Sequence, residues 1–186
     1  MMMITGLLAR ALQMSTPLLL GALAEVFVER TGVMNMAIEG IFLMGAWGGF
    51  VGAYLTKNLF WGLMLAMAVG VAIGAVYAYI TVRLKQHQIV TGTAINILAL
   101  GFCAFFQRVI FGVPLTPLIV QPLPPIPLPI LSQIPIIGPI LFDQNILTYL
   151  IYILVPIASF VLFKTSLGLS IRSIGENPEA GDVAGL

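Results

Sequence analysis

Leu59-Phe-Trp-Gly-Leu-Met-Leu-Ala-Met-Ala-Val-Gly-Val-Ala-Ile-Gly-Ala-Val-Tyr-Ala-Tyr-Ile-Thr-Val82 contains no charged side chain. A helix rises about 1.5 Å per residue, so about 20 apolar residues cross the hydrocarbon core of a bilayer. This stretch is long enough, and it predicts a membrane span over 59–82. Trp61 near one end and Tyr77 and Tyr79 near the other suit the two aromatic belts of a membrane helix. Gly70 and Gly74 are four apart and form a small-xxx-small pair, which lets helix backbones approach closely.

Working outward, the same character recurs on both sides. Thr56-Lys57-Asn58 is a short turn, and before it 33–55 predicts a second span. That span carries two more packing pairs, Gly45 with Gly49 and Gly48 with Gly52. It also carries Asn35 and Glu39, four apart and therefore on one face of a helix extending over both. A carboxylate inside a membrane costs a few kcal/mol and marks a functional position by default. Two readings remain open: side chains of a pocket, or a cap on the backbone broken near Gly32. After the central stretch, Arg83-Leu-Lys85-Gln-His87-Gln88 is a basic loop, with His87 read as a solvated loop residue. A span over 89–112 follows, with Thr91, Thr93 and Asn96 as a polar stripe. Asn96 is a candidate for either substrate contact or a bond to a neighbouring helix. Arg108 is placed to snorkel to the surface. The segment 113–145 holds nine prolines, including Pro122, Pro124, Pro125 and Pro127. That density excludes a spanning helix and predicts an extended external cap. A last span covers 146–163.

The composition agrees. The chain of 186 residues is 60% hydrophobic and 8% charged, with mean hydropathy +1.08. Ordinary soluble domains are about 25% charged. The predicted class is an all-α polytopic membrane protein of about five transmembrane helices, 7–24, 33–55, 59–82, 89–112 and 146–163, in one transmembrane domain. The N-terminus lacks the basic leader of a secretory signal, so 7–24 is read as a retained span that Pro17 should kink. A net charge of +1 without a basic patch gives no nucleic-acid surface. The single cysteine, Cys103, permits no internal disulfide. No paired carboxylates, Ser-His pair or metal-ligand cluster is evident, so no catalytic residue, metal or cofactor is assigned.

Orientation follows from charge. The loops at 83–87 and 164–172 are basic and separated by two spans, so they share a side, and the positive-inside rule makes that side cytoplasmic. The N-terminus is then external. Glu25, Glu29 and Arg30, with Glu25 and Glu29 on one helix face, fall on the cytoplasmic side, as does 166–186. In that last segment Asn177 is a good N-cap, Pro178 suits the first helical position and Glu179 favours the positive end of a helix dipole. A polar turn thus launches a helix just outside the membrane. It is read either as a docking surface for a soluble partner or as an ordinary loop.

Three blocks carry a family resemblance. Leu167-Gly168 … Arg172 … Gly175-Glu176-Asn177-Pro178-Glu179-Ala180 … Ala184-Gly185 resembles the coupling segment of ABC-importer permeases. Thr16-Pro17-Leu18-Leu19-Leu20 … Glu25-Val-Phe-Val-Glu29-Arg30-Thr-Gly32-Val-Met-Asn35-Met-Ala-Ile-Glu39-Gly40 … Met44-Gly45-Ala46 resembles the signature of their nucleoside and simple-sugar branch. Gln88-Ile89-Val90 … Asn96-Ile-Leu-Ala-Leu100-Gly101 is the third. The resemblance covers nearly the whole chain in the family's order.

It implies an inner-membrane permease subunit for nucleosides, with simple sugars second. It implies a second permease subunit, identical or not, an external substrate-binding lipoprotein and a cytoplasmic ATPase that holds the ATP and grips Gly168, Arg172 and Gly175 to Ala180. No P-loop is present, so ATP hydrolysis is expected on that partner. Family members continue with further spans, so the sequence is expected to be C-terminally incomplete. Gly181 stands where many relatives carry alanine, which loosens this helix by up to about 1 kcal/mol. Two rivals stand beside this reading. A proton-coupled carrier would use Glu39 as its proton site, and a membrane scaffold would need none of Asn35, Glu39 and Asn96.

Overall fold

A computed structural model describes residues 2–129, 131–135, 137–183 and 185. Five helices are long and apolar enough to cross a membrane, and the protein is an all-α polytopic membrane protein. The chain divides into two compact units, 35–122 and a second built from 1–34 with 123–186.

The first unit is three helices, α2 (Ile38–Thr56), α3 (Leu59–Ala78) and α4 (Gln88–Phe111). α2 and α3 form a tight antiparallel hairpin. Its turn has Lys57 in the left-handed region (φ 53°) and Asn58 capping α3, its side chain accepting from Phe60 N–H at 2.9 Å. Glycine sets the closeness of this pair. A Cβ on Gly52 would lie 3.1 Å from Gly62 Cα, and one on Gly62 would lie 2.7 Å from Ala53 Cβ and 2.8 Å from Gly49 O. A Cβ on Gly48 would meet Val69 at 3.0 Å, one on Gly49 would meet Ala66 at 3.1 Å, and one on Gly45 would reach only Ala66 O, at 3.5 Å. The expected pair in α3 is different. Nothing lies within 4 Å of a Cβ on Gly74, and Gly70 meets only Ile41, at 3.9 Å. The hairpin seam runs past Gly62 instead, because helix faces are set by the 3.6-residue repeat and Gly74 points off that seam. α3 ends in a widened π turn, Tyr79–Arg83, where Leu84 N–H donates to Tyr79 O at 3.1 Å.

α4 runs parallel to α2. Contacts climb both helices together, from Gly40 with Asn96, through Met44 with Ala99 and Cys103, to Trp47 with Gln107. Trp47 Nε1–H donates to Gln107 Oε1 at 3.1 Å, and its ring stands edge-on to Phe102 at 5.6 Å. Phe50, Tyr54 and Phe111 close the seam with ring contacts of 5.1 to 5.9 Å. Apolar side chains off the seams, such as Val71, Leu98 and Phe105, are exposed. Such surface is what lipid covers in a spanning bundle.

The second unit joins α1 (Met2–Glu29) to α6 (Ile146–Lys164). α1 continues unbroken through Pro17, longer than the predicted span at both ends. The hydroxyls of Thr16 and Thr148 meet at 2.9 Å, both residues buried. At the other end Arg30, just after α1, lies over the ring of Phe163, near the end of α6. The two helices are therefore parallel, as a chain crossing three further times between them requires. Residues 123–145 hold no spanning helix among those described, as the prolines predict. They form a two-residue antiparallel ladder, β1 (Ile126–Pro127) with β2 (Asp143–Gln144), a 3-10 turn at 131–133 and the short α5 (Ile137–Leu141). Asn145 caps α6, its Oδ1 accepting from the N–H and the hydroxyl of Thr148, each at 3.0 Å. Gln144 is fully buried, its Nε2–H donating to Ile140 O at 2.7 Å while its Oε1 has no partner.

Candidate coupling surface and membrane polar site

The segment after α6 is not a turn followed by one helix. Ser166–Glu176 is itself a helix, α7, and α8 (Pro178–Val183) follows it. α7 starts because Thr165 caps it, the hydroxyl accepting from Gly168 N–H at 3.2 Å and donating to Val161 O at 2.6 Å. Within it the hydroxyls of Ser170 and Ser173 fold back onto helix carbonyls, Ser170 to Ser166 O at 3.1 Å and Ser173 to Ser170 O at 2.9 Å. Asn177 serves two helices. Its N–H donates to Ser173 O at 3.0 Å to end α7, and its Oδ1 accepts from Ala180 N–H at 3.1 Å to start α8.

The predicted coupling residues fall into two groups. Glu176, Asn177, Pro178, Glu179 and Ala180 are all exposed at the α7–α8 corner. Gly168 is buried and Gly175 half-buried, each pressed onto backbone. Arg172 lies between them. Its Nε–H donates to Gly168 O at 3.3 Å, and its guanidinium sits 5.4 Å from the Phe163 ring centroid. Gly181 is buried, and a Cβ there would meet Ile174 Cγ1 at 3.2 Å. Ala184 and Leu186 of the predicted segment lie outside the described residues.

The membrane polar residues are placed differently from expectation. α2 begins at Ile38, not at 33, so Asn35 lies outside the helix and does not share a helical face with Glu39. Asn35 shapes the turn before it, its Oδ1 accepting from Ala37 N–H at 3.2 Å. The local turn chemistry of Asn outcompetes helix extension here. Glu39 is exposed in the first turn of α2. Asn96 is committed to the neighbouring helix. Its Oδ1 accepts from Gly40 N–H at 2.8 Å, and its Nδ2–H donates to Met36 O at 3.1 Å. Gly92, one turn earlier, lets the 36–37 backbone come close: a Cβ there would lie 2.6 Å from the Met36 carbonyl carbon. Grooves of about 710 and 470 Å3 open on this unit, at the α2–α3 turn and between α3 and α4. None of Asn35, Glu39 and Asn96 lines either. Among the described residues, no group of three metal-ligating side chains is found.

Residues 7–186 match the family model for the permease component of the branched-chain amino acid transport system. The chain belongs to this permease family. The permease is 38% identical to the guanosine ABC transporter permease of Bacillus subtilis over 92% of its length. It is 37% identical to the nucleoside ABC transporter permease of Lactococcus lactis over 97%. A protein of Haloferax volcanii, provisionally named as a glucose ABC transporter permease, is 37% identical over 97%. The permease spans 55%, 56% and 59% of the length of the Haloferax, Bacillus and Lactococcus proteins. No solved structure matches it.

Proposed function

We propose that this permease forms part of the membrane pathway of an ABC importer for nucleosides, with simple sugars second. The observation that carries the reading is its identity, along nearly its whole length, to permeases named for guanosine and for nucleosides. ATP is held and hydrolysed by a separate cytoplasmic ATPase. An external binding lipoprotein delivers the substrate to a pathway shared with a second permease subunit. The exposed corner at 176–180 suits the ATPase contact, since it is polar, ordered by two caps and free of lipid-facing apolar bulk. The N-terminus is external and 164–186 cytoplasmic in this reading, on the charge of the two basic loops. Asn35 and Glu39 remain the pocket candidates, while Asn96 is assigned to the α2–α4 contact.

The test is a pull-down of the tagged protein from its native membranes in mild detergent, with tritiated guanosine and glucose uptake measured in parallel. An ATPase should co-purify and be lost when 166–186 is scrambled or when Glu176→Lys is introduced. Guanosine uptake should require ATP and ignore a protonophore. Uptake abolished by the protonophore and by Glu39→Gln would instead establish a proton-coupled carrier.

A further inference from the structure

α7 is pinned at both ends by backbone contacts that only glycine permits. At its start, a Cβ on Gly168 would overlap the carbonyl oxygens of Val161 and Leu162 in the last turn of α6. Near its end, a Cβ on Gly175 would overlap Arg30 O and lie 3.1 Å from Gly32 N. The contact is reciprocal, since a Cβ on Gly32 would lie 3.3 Å from Gly175 O. Gly32 also has φ +82°, so its backbone favours glycine independently of the space. One turn before Gly175, Arg172 reaches the Phe163 ring, and Arg30 reaches the same ring at 6.0 Å. α7 thus bridges the ends of the parallel helices α1 and α6.

Backbone packed on backbone has no rotamer to absorb a displacement, unlike the Gly181–Ile174 contact, where a side chain intervenes. Gly175 directly precedes the exposed corner. The geometry points to the Gly175–Gly32 contact as the joint that carries force from the α7–α8 corner into α1. Gly32 and Gly175 are positioning residues, and Phe163, held by Arg30 and Arg172, keeps the joint in register. This rests on the coupling role proposed above for 166–186. Farther along, the Thr16–Thr148 bond ties α1 to α6, so both helices follow the joint.

The test uses the transporter purified with its native subunits and reconstituted in liposomes, and reads ATPase retention, ATP hydrolysis and substrate taken up per ATP. Gly175→Val should retain the ATPase and its hydrolysis while uptake per ATP falls roughly tenfold. Phe163→Leu, at an exposed position where folding is not at stake, should lower the ratio about two- to fivefold. Gly181→Ala, in the same segment, should leave it unchanged. Wild-type uptake per ATP in Phe163→Leu and in any assembled Gly175→Val overturns the joint. So does a proportional loss of uptake and hydrolysis together, which is the mark of general damage. If the unaltered protein retains no ATPase, the importer reading itself fails, a result distinct from either.

Discussion

Replacing Asn96 by Leu separates two roles for this residue. The side chain caps α2 from another helix. Gly40 N–H is among the first amides of α2, which have no partner within their own helix, and Asn96 Oδ1 accepts from it at 2.8 Å. Asn96 Nδ2–H meets Met36 O at 3.1 Å. Leucine removes both partners and leaves an amide and a carbonyl at the α2–α4 seam. A buried backbone group left unsatisfied costs about 1–3 kcal/mol, whereas membrane hydrogen bonds average about 0.6 kcal/mol because the less folded state finds other partners. With about 0.6 kcal/mol lost at the exposed Met36 carbonyl and about 0.6–3 kcal/mol at the buried Gly40 amide, the destabilisation comes to about 1–4 kcal/mol. Asn96→Asp keeps the acceptor for Gly40 and loses the donor to Met36, so at neutral pH it should cost less than leucine. The assay is denaturant unfolding in detergent micelles, followed by the fluorescence of Trp47, which packs on the same seam. An Asn96→Leu protein that unfolds at the wild-type midpoint refutes the cap. If it also shows a raised uptake KM, Asn96 reads substrate instead.

Gly62→Val should disrupt the α2–α3 hairpin, since even its first added carbon would sit 2.7 Å from Ala53 Cβ; overpacking of this kind costs about 1–3 kcal/mol in the same unfolding assay. Gly74→Ala should be neutral or gain up to about 1 kcal/mol of helix propensity, because nothing lies within 4 Å of the new carbon. Thr16→Val and Thr148→Val should lower stability by similar amounts, since each hydroxyl makes a second bond at 3.0 Å, Thr16 to Leu12 O and Thr148 to Asn145 Oδ1. Their double-mutant cycle should return a coupling of about 0.6–1.7 kcal/mol. Gln144→Leu trades the bond to Ile140 O against removal of an unpartnered buried oxygen, so its unfolding midpoint should correspond to a change within about 1 kcal/mol.

The spans were legible because lipid imposes a long apolar run, and a run of that length needs no partner to be recognised. The order of crossings was legible for the same reason, and the parallel course of α1 and α6 follows from it. Partners were less legible. Gly48, Gly49 and Gly52 announced a close helix contact, yet nothing local distinguished Gly62 from Gly74 as the surface opposite them. That choice depends on the phase of α3 after the turn at Lys57, and one residue more or less there rotates every side chain by about 100°. Asn35 and Glu39 do not share a helix face because a four-residue spacing has that meaning only inside a helix, and Asn35, before α2 begins, bonds the backbone two residues on. α7 was missed because 166–176 reads as part of a polar turn, and the helix shows only once Thr165 caps its first turn and the hydroxyls of Ser170 and Ser173 bond back onto helix carbonyls. Gly168 and Gly175 carried no signal beyond the resemblance, since a glycine in a polar segment fits a loop as well as a crossing. Their spacing of seven, two helical turns, becomes informative only once α7 is a helix. Both glycines then fall on one face, where two other helices end.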